Sequence, residues 1–206
     1  MCGRYIRWME EDDAKRHFDV IDSWEEESRK RYKASQEVFP GTPILAINNQ
    51  GVAEDIWWTI EQSFGAGKPP IRVINAMAET VHEKPMFKKA FATDRILIPA
   101  TGLYEWQTQA DKSKIKYKIW FDEPIFAFAG IAKDCYIKDE KRRCGVILTT
   151  FPNDVFKEIH NTKQRQAVVI RKADHEAWLD PDTPYDHLQR MMQPLPNDAT
   201  LCEPVA

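Results

Sequence analysis

Apolar residues in this chain come in short runs, rich in β-branched and aromatic side chains and bounded by turn formers, a pattern that predicts strands. Ile44–Ile47 and Val52–Ile60 flank Asn48-Asn49-Gln50-Gly51 and read as a hairpin. Further strands are expected at Ile71–Ile74, Arg95–Ala100, Leu103–Gln107, Lys116–Phe121, Ile125–Ile131, Cys144–Thr150 and Ala167–Ile170, with a turn at Thr101-Gly102. Helices are expected at Glu10–Phe18, where acidic residues open the first turn, and at Ser23–Lys33, whose mixed charge marks a solvated face. Others fall within Pro85–Thr93 and at Pro152–Ile159, each with proline at its start, and at Ala173–Leu179 and Tyr185–Met192. The tail after Pro194 reads as irregular. Strands in runs, without strand–helix alternation, give an α+β fold: a single domain over residues 1–206, with a mainly antiparallel, barrel-like sheet and peripheral helices.

Composition narrows the classes. The 206 residues are 43% apolar and 30% charged, ordinary for a globular protein, and long enough to bury a sizeable core. No run approaches the roughly 20 apolar residues of a membrane span, and the start has no signal-peptide pattern. The expected location is the cytoplasm, and the expected state a monomer. Cys2, Cys135, Cys144 and Cys202 lack metal-ligand spacing, so no metal, disulfide framework or cofactor is expected. A formal charge of −3 means that any nucleic-acid binding needs a local basic patch. Seven Trp and ten Phe leave aromatics to spare for stacking.

Four residues carry candidate chemistry. Cys2 follows the initiator and, once Met1 is removed, presents an α-amine and a thiol on adjacent carbons. Such a group condenses with an aldehyde to an imine and then closes to a thiazolidine; the plain alternative is a small residue at a frayed terminus. Glu105 interrupts an apolar run between Tyr104 and Trp106. If it points inward, desolvation raises its pKa and suits it to acid–base work; if outward, it is an ordinary surface residue. Asn75 ends a strand and can position a hydroxyl or carbonyl, or merely cap the strand end. His160 follows a helix, where a histidine often serves only as a stabilising cation. The remaining histidines, His17, His82, His175 and His187, read as surface residues.

Residues 1–5 (Met-Cys-Gly-Arg-Tyr), Ile74-Asn75-Ala76-Met77-Ala78-Glu79-Thr80, Met86-Phe87, Gly102-Leu103-Tyr104-Glu105-Trp106 and Ile159-His160-Asn161-Thr162 occur in one order across nearly the whole chain. Together they resemble the SOS-response-associated peptidase (SRAP) family of abasic-site processing proteins. The resemblance implies a single α+β domain with a groove for single-stranded DNA and covalent capture of abasic sites. It also implies that Cys2 is the nucleophile, that Asn75 positions the reacting groups, that Glu105 is the acid–base carboxyl and that His160 assists sugar ring opening. Arg4, Arg72 and Lys68 are the expected phosphate contacts, and Trp58, Phe64 and Trp106 the expected aromatic contacts to DNA. The sequence departs from the family pattern at Met77, where the family has arginine, at Trp57-Trp58, at Tyr32-Lys33-Ala34-Ser35-Gln36, and at Arg165-Gln166-Ala167. These departures touch the DNA-contacting set and leave the catalytic set intact. Competing readings are a cysteine-dependent peptidase or amidase built on Cys2, and a DNA-binding module without catalysis.

Overall fold

A computed structural model describes residues 3–19, 23–62, 69–137 and 140–205. In chain order the elements are β1 (Tyr5–Arg7), α1 (Glu11–Phe18), α2 (Glu26–Arg31), β2 (Ser35–Val38), β3 (Pro43–Ile47), β4 (Ala53–Trp58), β5 (Ile60–Gln62), β6 (Ile71–Val73) and β7 (Asn75–Met77). There follow α3 (Lys88–Thr93), β8 (Arg95–Ala100), β9 (Gly102–Thr108), β10 (Lys114–Phe121), β11 (Phe126–Ile137) and β12 (Glu140–Thr150). The last part holds α4 (Asp154–Ile159), β13 (Gln166–Ala167), β14 (Val169–Ile170), α5 (His175–Leu179), α6 (Tyr185–Met191) and β15 (Thr200–Pro204).

Strands β12, β4, β3, β8 and β11 pair in that order, and β11 pairs back onto β12, so the sheet closes into a barrel. Every pair in the ring is antiparallel except β4 with β12. The fold class expected from the sequence is therefore the observed one. Alternation along the strands sorts side chains into two cores: Ile44, Ala46, Ile56, Trp58, Ile96 and Phe128 share one cluster, while Leu45, Ile47, Leu97, Ala129 and Val146 belong to the other. A Cβ at Gly145 would run into the end of the Ile56 side chain, so a larger residue there would have to push that side chain aside.

A second sheet, ordered β15-β10-β9-β1-β2, packs its Tyr5, Leu103 and Ile119 into the first of these cores. Thr101 takes the chain from one sheet to the other: β8 pairs with β3 and β11, whereas β9 pairs with β1 and β10. The expected turn is thus a crossing between sheets and not a hairpin.

Several local expectations need correction. The tail is not irregular: Thr200–Pro204 pairs with β10 and completes the second sheet. Helix α4 starts later than expected because Asn153, a better cap than Pro152, accepts the Phe156 N–H on its side chain at 3.0 Å. Helix α3 begins at Lys88, three residues past Pro85. The strand expected over Val52–Ile60 breaks at Thr59 into β4 and β5. His17 and His175 are half-buried, with the His175 ring stacked on Phe18 at 5.2 Å, and burial pulls its pKa down to about 4. Among the described residues, no helix is long and apolar enough to cross a membrane.

Candidate active site

Strand β9 pairs with β10 from Leu103 to Thr108 and with β1 at Gly102 and Leu103, which fixes the alternation of its side chains. Leu103 and Glu105 share one face, and both are buried, Glu105 to 3% exposure. The carboxyl therefore points inward, which decides the question that periodicity left open. Desolvation raises its pKa to about 8, so the acid is predominantly protonated at neutral pH. Its Oε1 has no hydrogen-bond partner among the described residues.

His160 stands directly after α4 and is buried as well. Its Nε2 lies 3.8 Å from Glu105 Oε2, beyond hydrogen-bond range. Burial lowers the histidine pKa while raising that of the carboxyl, so the two form a neutral acid–imidazole pair and not an ion pair. The other ring nitrogen, Nδ1, is 2.7 Å from the Arg165 carbonyl oxygen. A carbonyl only accepts, so Nδ1 carries the proton and Nε2 faces Glu105 with its lone pair. The loop after α4 is tied to β9 by a two-way bond: Thr108 N–H donates to Asn161 Oδ1 at 3.1 Å, and Asn161 Nδ2 donates back to Thr108 O at 2.9 Å. Gln107 adds a bond to Glu158 O at 3.2 Å. These contacts hold His160 against the strand that carries Glu105.

Asn75 opens β7, which runs parallel to β12 with Asn75 opposite Ile147. Its Nδ2 reaches Ile147 O at 3.5 Å, and its buried Oδ1 has no partner among the described residues. Trp58, expected to stack on a base, presents no face to solvent; it is fully buried in the core beside Tyr5. Its indole N–H instead donates to Ile74 O at 2.9 Å and braces the residue before Asn75. A large ring with one polar handle suits that buried position.

The expected basic contacts divide. Arg4 lies next to the site, its carbonyl accepting the Tyr104 N–H at 3.0 Å. Its guanidinium sits 5.1 Å from the ring centre of Trp106 and 4.8 Å from that of Phe39. Lys116, which the sequence did not single out, joins this group: it stands 3.8 Å from the Tyr104 ring centre and shares Glu37 with Arg4. Arg72 is exposed on the β5–β6 ribbon and held by Glu61 at 2.6 Å. Met77 is 48% exposed. Cys2, Phe64 and Lys68 lie outside the described residues. The sequence assigns no bonding role to Asn161 or Arg165, because nothing in a loop's composition tells which polar side chain bonds back. No group of three or more metal-ligating side chains occurs among the described residues.

The profile of the SOS response associated peptidase (SRAP) family matches residues 1–206. The chain belongs to the SRAP family. Relatives include the abasic site processing protein YoqW of Bacillus subtilis (strain 168), 34% identical over 96% of this chain and 89% of its own length. The abasic site processing protein YoaM of the same organism is 34% identical over 97% of this chain and 87% of its own. Among solved structures, a protein from Bacteroides thetaiotaomicron superposes with a TM-score of 0.88 at 22% identity, covering 100% of this SRAP chain and 92% of the other. One from Bordetella bronchiseptica gives 0.79 at 17% identity, with both chains covered in full. These two share the SRAP fold described above.

Proposed function

We propose that this SRAP protein processes abasic sites, capturing the sugar in single-stranded DNA through the α-amine and thiol of Cys2. Family membership and the names of its relatives support the substrate. The observation that carries the mechanism is the buried, neutral Glu105–His160 pair beside the strand that leads in from Cys2. Arg4, whose carbonyl accepts the Tyr104 N–H, lies beside Glu105 in the fold and two residues after Cys2 in the sequence.

An abasic deoxyribose is mostly a closed hemiacetal. Ring opening moves a proton from the hydroxyl on C1 to the ring oxygen, leaving an aldehyde. The protonated Glu105 supplies the proton to the ring oxygen, and the His160 Nε2 lone pair accepts the one that leaves. The Cys2 amine then adds to the aldehyde and water leaves, giving the imine. The thiol adds across that C=N bond, sulfur to carbon and proton to nitrogen, and closes the thiazolidine. The net change is loss of one water with no redox step. Asn75, with its buried amide oxygen unpaired among the described residues, is suited to orient the amine or the sugar. Thiol closure removes the imine that would otherwise favour β-elimination, so strand cleavage is a minor outcome. Peptidase chemistry in this reading is confined to removal of Met1.

Arg4 and Trp106, with Lys116, form the proposed DNA contact beside the site, and Arg72 a more distant one. The protein acts as a cytoplasmic monomer without metal or cofactor. Incubation with a single-stranded oligonucleotide carrying one abasic site, followed by a denaturing gel, tests the reading. A denaturation-resistant band that Cys2→Ala abolishes is expected; its absence from the unaltered protein refutes the proposal.

A further inference from the structure

His160 is oriented by a short loop, and what anchors that loop lies outside the catalytic set. From the end of α4 the chain turns back on itself: the Gln164 N–H donates to His160 O at 2.9 Å, with Gln164 in a left-handed conformation at φ 48°. The next residue, Arg165, returns its carbonyl to His160 Nδ1 at 2.7 Å. Its side chain runs the other way, to the residues beyond Asn75. Arg165 Nη1 and Nη2 meet the two Glu79 oxygens at 3.0 Å and 2.7 Å, a two-point fork. Nη2 also donates to Thr149 O at 2.5 Å, and the guanidinium covers the Phe151 ring at 5.2 Å from its centre. The Arg165 side chain is only 12% exposed. Thr150 Oγ1, 3.4 Å from Glu79, adds a further contact to the carboxylate.

We propose that Glu79 and Arg165 are positioning residues for His160: their ion pair pins the Arg165 carbonyl, and that carbonyl holds the imidazole in the Nδ1–H form with Nε2 toward Glu105. The inference rests on the reading of Glu105 and His160 as the acid–base pair. The imidazole itself does not choose between its ring nitrogens; the partner of Nδ1 chooses for it. That partner is a loop carbonyl, and a loop with one residue in the left-handed region holds its shape only while something over-determines it. Two parallel N–H···O bonds fix both the position and the angle of the guanidinium, which one ammonium could not do. The anchor also spans chain-distant parts of the site, since Glu79 follows β7, the strand of Asn75, while Arg165 closes the loop of His160. One ion pair thereby keeps two candidate catalytic residues in register.

The test compares unaltered protein with Glu79→Gln, Arg165→Met and Arg165→Lys, each first shown to be folded. Nitrogen-15 NMR of the imidazole reads the tautomer in free protein, and the rate of adduct formation is followed against pH with abasic single-stranded oligonucleotide. The unaltered protein should show His160 protonated at Nδ1. Arg165→Met and Glu79→Gln should admit the Nε2–H form and slow adduct formation at least about tenfold, as expected when a general acid–base group is misaligned. Arg165→Lys should restore part of both signals. A folded Arg165→Met that keeps the Nδ1–H form overturns the proposal. So does loss of affinity for undamaged single-stranded DNA with the tautomer unchanged, which would make Arg165 a phosphate contact. Failure of the unaltered protein to form any adduct refutes the acid–base reading alone, since the tautomer measurement needs no substrate and decides the positioning claim by itself.

Discussion

A carboxylic acid held at 3% exposure beside a neutral imidazole has few structural uses, since burial makes it costly and its Oε1 has no partner among the described residues. In the proposed mechanism its value is chemical. With a pKa raised to about 8, Glu105 keeps its proton below that pH and loses it above, so the proton delivery proposed for it should fail as pH rises through 8. The Cys2 amine works in the opposite sense, becoming nucleophilic as pH rises through its ordinary value of about 8. Adduct formation should therefore follow a bell in pH, and Glu105→Gln should remove the alkaline fall. That variant and His160→Ala should each slow capture by roughly 10²–10⁴-fold on ordinary abasic DNA. Both should recover on a substrate whose aldehyde is already open. Stopped-time cross-linking on the two substrates checks this; if Glu105→Gln stays equally slow on the open aldehyde, its role lies in imine or thiazolidine formation.

The elements that carry these residues were legible in the sequence where one strand or helix sufficed to define them. The apolar run around Glu105 gave strand β9, and the helix before His160 placed that residue at a helix end. What periodicity could not give is which face of β9 turns inward, because that depends on β1 and β10 packing on either side. Nor could it separate Trp57 from Trp58, adjacent residues that a strand sends to opposite faces. Trp58 went to the core and its N–H to the carbonyl before Asn75. The strand in the tail is invisible to sequence pattern because an edge strand needs its partner, β10, to be recognised. A prediction follows for the Trp58 brace. Trp58→Phe removes one of the two donors to the Ile74 carbonyl, which the Ile147 N–H also reaches at 3.2 Å, and leaves a gap in a packed core, so stability should fall by about 1–3 kcal/mol. Chemical denaturation measures this, and DNA affinity of the folded variant should retain its salt dependence. A changed salt slope with unchanged stability would return Trp58 to the DNA interface.

For the protein entire, a charge of −3 sets DNA binding against long-range repulsion, so affinity has to come from a patch. Arg4 and Lys116 sit together over Tyr104 and Trp106, although Glu37 offsets part of their charge. Arg4→Ala and Lys116→Ala should each lower the log–log salt slope of single-strand binding by roughly 0.7, the value for one phosphate contact. Fluorescence anisotropy across a salt series reads the slope, and two unchanged slopes would place the groove elsewhere. In the proposed mechanism the patch, the barrel wall that carries Asn75 and the Glu105–His160 pair all serve one event, the closing of the Cys2 amine and thiol on an aldehyde. That event needs a free amine. The most direct measurement is therefore adduct formation by a protein with one extra residue ahead of Cys2, where the amine is an amide and the thiol is intact. No denaturation-resistant adduct should form with abasic single-stranded DNA; an adduct at full yield would contradict the thiazolidine mechanism.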